Sequence, residues 1–203
     1  MALITTTEAK QQIPGLSGSD DDALLTELIS VAGAAIADYL GYPPIAAGAQ
    51  PTAEAAAYVR YMDGPGGVEL RLEILPVNSI TSIYDSPDRS YAAADLVASG
   101  DYTLEEPNNG LVLLDWDAQH GSWSTGRRAI KASYNAGYST VPDWLQHAAR
   151  LTVRHLWDVR MTQGESSKSG GGVNMSLLDP GLLPKEAMDL LRRRRLPRCM
   201  VPV

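Results

Sequence analysis

The sequence predicts an α+β protein in which two long helices flank a β-rich insertion and a C-terminal helix and tail follow. Three observations carry this reading. Apolar residues recur at helical spacing before residue 45 and again after residue 141, the period falls to two between them, and Gly/Pro clusters mark the borders. A chain of 203 residues with 44% hydrophobic and 20% charged residues has globular composition. Its length predicts one domain, 1–203, divided into 1–45, 55–138, 141–161, 162–180 and 181–203.

Thr5 and Glu8 have capping-box spacing, so "TTEAKQQI" predicts a short helix ending near Pro14 and Gly15. Ser19 can cap the next helix, with Asp20, Asp21 and Asp22 in a first turn where the dipole favours negative charge. Leu25, Leu28, Ala32, Ala35, Ile36 and Tyr39 then follow one helical face, and Gly41 predicts a left-handed stop. The small residues around Ala32 allow close approach, which makes Ala32, Gly33, Ala35 and Ile36 candidates for helix packing or a subunit contact.

In "VELRLEI", Val68, Leu70, Leu72 and Ile74 alternate with Glu69, Arg71 and Glu73, the pattern of a half-buried strand. "SITSIYD" and "YTLEE" predict further strands, "PNNGLVLLD" a hairpin turn entering another, and "RAIKASYNAGY" the strand that closes the sheet. The alanines of "TAEAAAYVRYMDG" favour helix, but Tyr58, Val59, Tyr61 and the following "GPGG" favour a strand. Pro142 opens the second long helix, on which Trp144, Ala148, Leu151, His155 and Val159 share a face. "TQGESSKSGGG" has the composition of a flexible loop, and "LLPKEAMDLLRRRR" predicts a terminal helix.

No constellation of catalytic or metal-ligating residues emerges, and no cofactor or enzymatic activity is expected. His147 and His155 are eight residues apart, about 12 Å along a helix axis, too far to share a metal. Neither Ser122 nor Ser124 has the flanking glycines of a nucleophile elbow, and Ser167 precedes Lys168 where a phosphate loop needs Gly-Lys-Ser/Thr. Asp115 and Asp117 begin like a calcium loop, but Gly126 stands where the bidentate Glu is needed. The single Cys199 cannot form an internal disulfide, which fits a reducing compartment. Apolar stretches such as "LISVAGAAIADYL" look too short and interrupted to span a bilayer, and "MALITTTEAK" lacks a signal-peptide pattern, so a soluble, unsecreted protein is expected.

Charge is divided along the chain. Residues 1–110 carry 16 acidic and 4 basic side chains, whereas residues 111–203 carry 8 and 13. Arg192, Arg193, Arg194, Arg195 and Arg198 close a chain of net charge −7. On an α-helix four consecutive arginines fan through about 300°, so they cannot all follow one phosphate track. Complementing the helix dipole, meeting an acidic partner or neighbouring copy, and phosphate contact all remain open for them.

Four stretches together resemble the head-tail connector, or adaptor, proteins of long-tailed bacteriophages, the head-completion family that docks beneath the portal. They are "TTTEAKQQI" with "DDDALLTELISVAGAAIADYLGY", "YMDGPGGVELRLEILPVNSITSIYDSPDRSY", "DYTLEEPNNGLVLLD" and "IKASYNAGYSTVPDWLQHAARLTVRHLWDVR". The resemblance rests on order and spacing over residues 5–160, and residues from 161 onward do not contribute to it. It implies a mainly helical bundle with a β-rich insertion between its long helices. It also implies a homo-oligomeric ring, typically twelvefold, between the portal and the next tail-side connector or tail terminator. DNA would pass through its channel without sequence recognition, in a virion protein assembled in the host cytoplasm, with no membrane partner. On that reading an acidic lumen repels phosphate, while Arg192–Arg195 and Arg198 reach an acidic portal or neighbour surface. Two rivals are a nucleic-acid-binding regulator using the basic tail and a hydrolase using Asp115, Asp117 and His120.

Overall fold

The computed structural model describes residues 3–115, 121–161, 167–170, 173–176 and 181–196. They fall into two compact units, one drawn from 1–43 and 141–195 and the other from Pro44–Thr140 together with Leu196.

Four α-helices form the first unit among the described residues: α1 (Thr6–Gln12), α2 (Asp22–Leu40), α3 (Asp143–Met161) and α4 (Lys185–Leu191). The capping box opens α1: Glu8 N–H donates to Thr5 Oγ1 at 3.2 Å and Thr5 N–H donates to Glu8 Oε2 at 2.8 Å. The second oxygen of Glu8 accepts from Arg150 of α3 at 2.5 Å, tying the short helix to a long one. α2 starts at Asp22 after an Asp21 N-cap that makes no side-chain bond, two residues later than the Ser19 cap expected from sequence. Here Ser19 contributes only its carbonyl, which accepts from Asp22 N–H. The helix stops at Gly41, whose φ of 95° suits a residue without Cβ.

The buried face of α2 is Leu25, Ile29, Ala32, Ile36, Ala37 and Leu40, which packs with α1, α3 and α4. By length and composition α2 could cross a bilayer, contrary to the sequence reading, but Leu25, Ile29, Ala32, Ile36, Ala37 and Leu40 are buried in this core. On α3 the matching face is Leu145, Ala148, Ala149, Thr152 and Val153, with Thr152 Oγ1 donating to Ala148 O. His155 is also buried, its Nε2 2.8 Å from Gly181 O. Within the stretch that composition marks as a loop, β8 (Ser167–Gly170) and β9 (Val173–Ser176) pair antiparallel.

Among the described residues the second unit holds seven strands: β1 (Ala56–Pro65), β2 (Glu69–Arg71), β3 (Val77–Asp85), β4 (Leu96–Val97), β5 (Tyr102–Glu106), β6 (Leu111–Leu114) and β7 (Thr125–Ala136). They form two antiparallel sheets, ordered β1-β7-β3-β4 and β2-β6-β5. This overturns the expected mainly helical bundle: the protein is a mixed α+β fold. The physical reason is the twofold apolar period across the insertion, which commits that stretch to sheet as fully as the flanks are committed to helix.

Ambiguous in sequence, the "AAAYVRYMDG" segment is strand, because its alternate residues Tyr58 and Met62 are buried against the sheet's core. The core includes Leu70, Leu72, Ile74, Ile83, Val112, Trp123, Ile130 and Tyr134. Tyr134 Oη accepts from Ile74 N–H at 3.3 Å, and burial pushes its phenol up to about 12. Gly64 crosses so close to the backbone preceding β7 that a Cβ there would lie 1.9 Å from Ser124 O.

Candidate interaction surfaces

Two surfaces stand out, one on each unit. The first is the arginine turn. After α4, anchored by buried Ala187 and Leu191, the chain tightens into a 3-10 turn over Arg192–Arg194. Such a turn places successive side chains about 120° apart, so the arginines separate by role. The Arg194 guanidinium stacks over Trp144, 4.4 Å from the ring centroid, and that of Arg195 over Tyr39 at 4.8 Å. Nε of Arg195 donates to Tyr39 O at 3.0 Å. Tyr39 lies in the last turn of α2, where carbonyls lack intrahelical partners and a cation offsets the negative end of the dipole. Arg194 and Arg195 thus hold the turn onto α3 and α2, while Arg192 and Arg193 are exposed and make no ion pair among the described residues. Arg198 lies outside the described residues.

The small-residue stripe of α2 is likewise divided. Ala32 and Ile36 are buried inside the helical unit, and Gly33 and Ala35 are half-buried. A Cβ on Gly33 would meet Leu3 Cδ1 at 3.9 Å, ordinary van der Waals contact, so no close helix approach demands glycine there.

The second surface, missed by sequence reasoning, is a groove of about 1140 Å³ on the β unit. Its walls come from β1 and β2, the terminal strands of the two sheets, with Arg127 and Arg128 from β7. Arg60 on β1 donates to Glu73 Oε2 at 3.0 and 3.2 Å, bracing one wall against the other. Val59, Tyr61 and Val68 are 55%, 41% and 51% exposed, an apolar lining left to water. The sequence placed Val68 on the buried face of a seven-residue strand, but β2 spans only Glu69–Arg71 and Val68 sits at the lip, its carbonyl accepting from Trp123 Nε1 and Leu114 N–H. Cations frame the lining: Arg128 lies 4.8 Å over the Tyr61 ring, and its N–H donates to Asp63 Oδ1 at 2.8 Å. Exposed alternating apolar residues on β1 were the available signal, but only strand pairing shows that β1 and β2 are edges.

No group of three or more potential metal ligands occurs among the described residues. His147 is exposed and His155 buried, and Asp115 accepts from Thr103 Oγ1 at 3.1 Å within the sheet. Asp117 and His120 lie outside the described residues. In the turn after β3, Ser90 N–H and the Ser86 and Ser90 hydroxyls hold the Asp88 carboxyl below its usual range. The Ser90 hydroxyl, with lesser help from Ser86 and Ala92 N–H, does the same for Asp95. These bonds build a turn rather than converge on an open position.

A family model described as "Head completion protein" matches residues 2–196. No curated protein matches the chain.

Proposed function

Because the chain belongs to the head completion protein family, a structural protein of the phage head-tail interface, we propose that it assembles as a ring beneath the portal and leaves a channel for DNA. Head completion implies interaction with portal and tail proteins. The match over residues 2–196, nearly the whole chain, is the observation that carries the reading. Support comes from the two surfaces, which are suited to adhesion: one presents exposed guanidinium groups, the other exposed apolar side chains beside strands that are edges among the described residues.

In the arginine turn the work is divided. Arg194 and Arg195 fix the turn by stacking, so that Arg192 and Arg193 reach an acidic portal or neighbour surface without paying to order a free tail. The acidic surplus of residues 1–110 suits a channel that must pass DNA without gripping it, since fixed negative charge repels phosphate.

Mixing the purified chain with portal rings of the same phage and weighing the complex tests this proposal. A stoichiometric ring of copies on each portal is expected, and a chain truncated after Met161 should fail to join. Absence of association at every ratio, together with salt-sensitive DNA binding by the chain alone, would replace the proposal with a nucleic-acid-binding regulator.

A further inference from the structure

We infer that the groove between β1 and β2 receives the acidic edge strand β5 of the next copy, so that copies join head to tail by strand addition. The inference rests on the ring reading above and names the contact that would build the ring.

Among the described residues, β1 is a ten-residue strand bonded on one side only, to β7, and β2 is bonded on one side only, to β6. Natural sheets shorten, charge or cover such edges, because an unpaired row of N–H and C=O groups invites another strand. β1 instead keeps Val59 and Tyr61 exposed along the groove, with Val68 across from them. An extended segment laid there would gain ladder hydrogen bonds from the backbone and specificity from its alternate side chains.

Charge selects the occupant. Arg60, Arg71, Arg127 and Arg128 line the groove together with Asp63, Glu69 and Glu73, a net charge of +1, and with Arg60 bonded to Glu73 and Asp63 accepting from the Arg128 N–H, the guanidinium groups of Arg127 and Arg128 carry the surplus. Arg71 is exposed and only 3.6 Å-paired with Glu69, and Arg127 has no ion pair among the described residues. β5 carries the complement: Glu105 and Glu106 are exposed and in no ion pair among the described residues, beside the "PNN" turn that leads into β6. Its own outer edge is likewise unpaired among the described residues. Five residues of β5 extend about 17 Å, within the length of ten-residue β1.

Topology supplies the direction. In the sheet β2-β6-β5, the groove strand and the donor strand are opposite edges. One copy's β5 therefore cannot fill its own groove, and each copy offers one acceptor and one donor. Contacts of this heterologous kind propagate from copy to copy and close into a ring when the rotation between copies permits.

The test is a charge exchange in the full chain assembling on purified portal rings, read as copies bound per portal. Arg71→Glu with Arg127→Glu in the groove should lower assembly at least about tenfold, and Glu105→Lys with Glu106→Lys on β5 should do the same. The chain carrying all four substitutions should recover, because the charges again oppose. Circular dichroism melts identify any variant that has merely lost its fold, and recovery in the fourfold variant excludes that explanation directly. Unchanged assembly in both double variants, or no recovery in the fourfold one, overturns the inference while a wild-type ring leaves the ring reading intact. Normal copy-to-copy assembly with loss of portal attachment assigns the groove to the portal and also overturns it. A wild-type chain that never exceeds one copy per portal overturns the ring reading itself, and this contact with it.

Discussion

The same substitution, glycine to alanine, should have opposite effects at Gly64 and Gly33. At Gly64 the new Cβ would lie 1.9 Å from Ser124 O and 3.2 Å from the Ala129 Cβ. The first obstacle is backbone, so no rotamer change relieves it, and the β1–β7 ladder must open where Gly64 pairs with Gly126. Overpacking of this kind costs about 1–3 kcal/mol or more, and a backbone clash places Gly64→Ala at the upper end. At Gly33 the Cβ meets only Leu3 Cδ1 at 3.9 Å, and the site is interior to α2. There alanine removes glycine's backbone entropy cost and should stabilise by about 0.5–1 kcal/mol. Urea unfolding followed by circular dichroism would read both. A Gly64→Ala midpoint within error of wild type, or a Gly33→Ala midpoint below it, would refute the steric reasoning. The pair also separates packing from assembly: if Gly33 lies against a neighbouring copy, Gly33→Ala should raise the stability of the free chain yet reduce the number of copies bound to the portal.

The arginines should divide in experiment as they do in space. Arg194→Ala and Arg195→Ala should each cost the free chain about 0.5–1 kcal/mol by losing an exposed cation–π stack. Arg192→Ala with Arg193→Ala should leave stability within about 0.5 kcal/mol but weaken portal attachment, measured by titrating portal rings. Tyr134→Phe removes the acceptor of the buried Ile74 N–H and should cost about 1–3 kcal/mol by denaturant unfolding. Because its phenol is raised from the ordinary 10.0 to about 12, the wild-type contribution is intact below pH 10 and lost as pH climbs towards 12, a loss Tyr134→Phe should lack. The Glu8 carboxyl is held below its ordinary 4.5 by Thr5 N–H, Arg150 and the Thr5 hydroxyl. Its contribution is therefore present above that value and disappears as pH falls through the lowered one. Stability curves of wild type and Glu8→Gln should stay apart above pH 4.5 and converge in acid.

Local chemistry is legible in this sequence wherever both partners lie within one turn or one strand. Thr5 and Glu8 cap α1 because three residues of helix bring them together, and Gly41 stops α2 because only its own φ matters. The alternating Leu70, Leu72 and Ile74 are buried as their period requires, and Pro142 precedes α3 as a helix opener should. Burial phase was harder to read: Ala35 and Tyr39 were placed on the inner face of α2, whereas Ile29, Ala37 and Leu40 occupy it. The small residues of that helix leave its apolar stripe too broad for periodicity to choose a side, and packing of α1, α3 and α4 makes the choice.

The candidate surfaces depend on partners far apart in the chain, and there the sequence alone is silent. Tyr58 pairs across the ladder with Tyr134, and Arg60 reaches Glu73 in the bend after β2. No periodicity in either segment announces those pairings, because strand pairing is settled by which apolar faces can be buried together over the whole unit. Only that settlement makes β1 and β2 edges and opens the groove between them. The arginine run shows the same limit at close range. Its charge was plain from the sequence, but the rings of Tyr39 and Trp144, brought to it by helix packing, decide which two guanidinium groups hold the fold and which two face outward. Sequence by itself determined the elements and the charges, since propensity, capping and period act over a few residues. Tertiary structure alone decided the edges and the exposed cations, since among the described residues both are defined by how distant segments pack and pair.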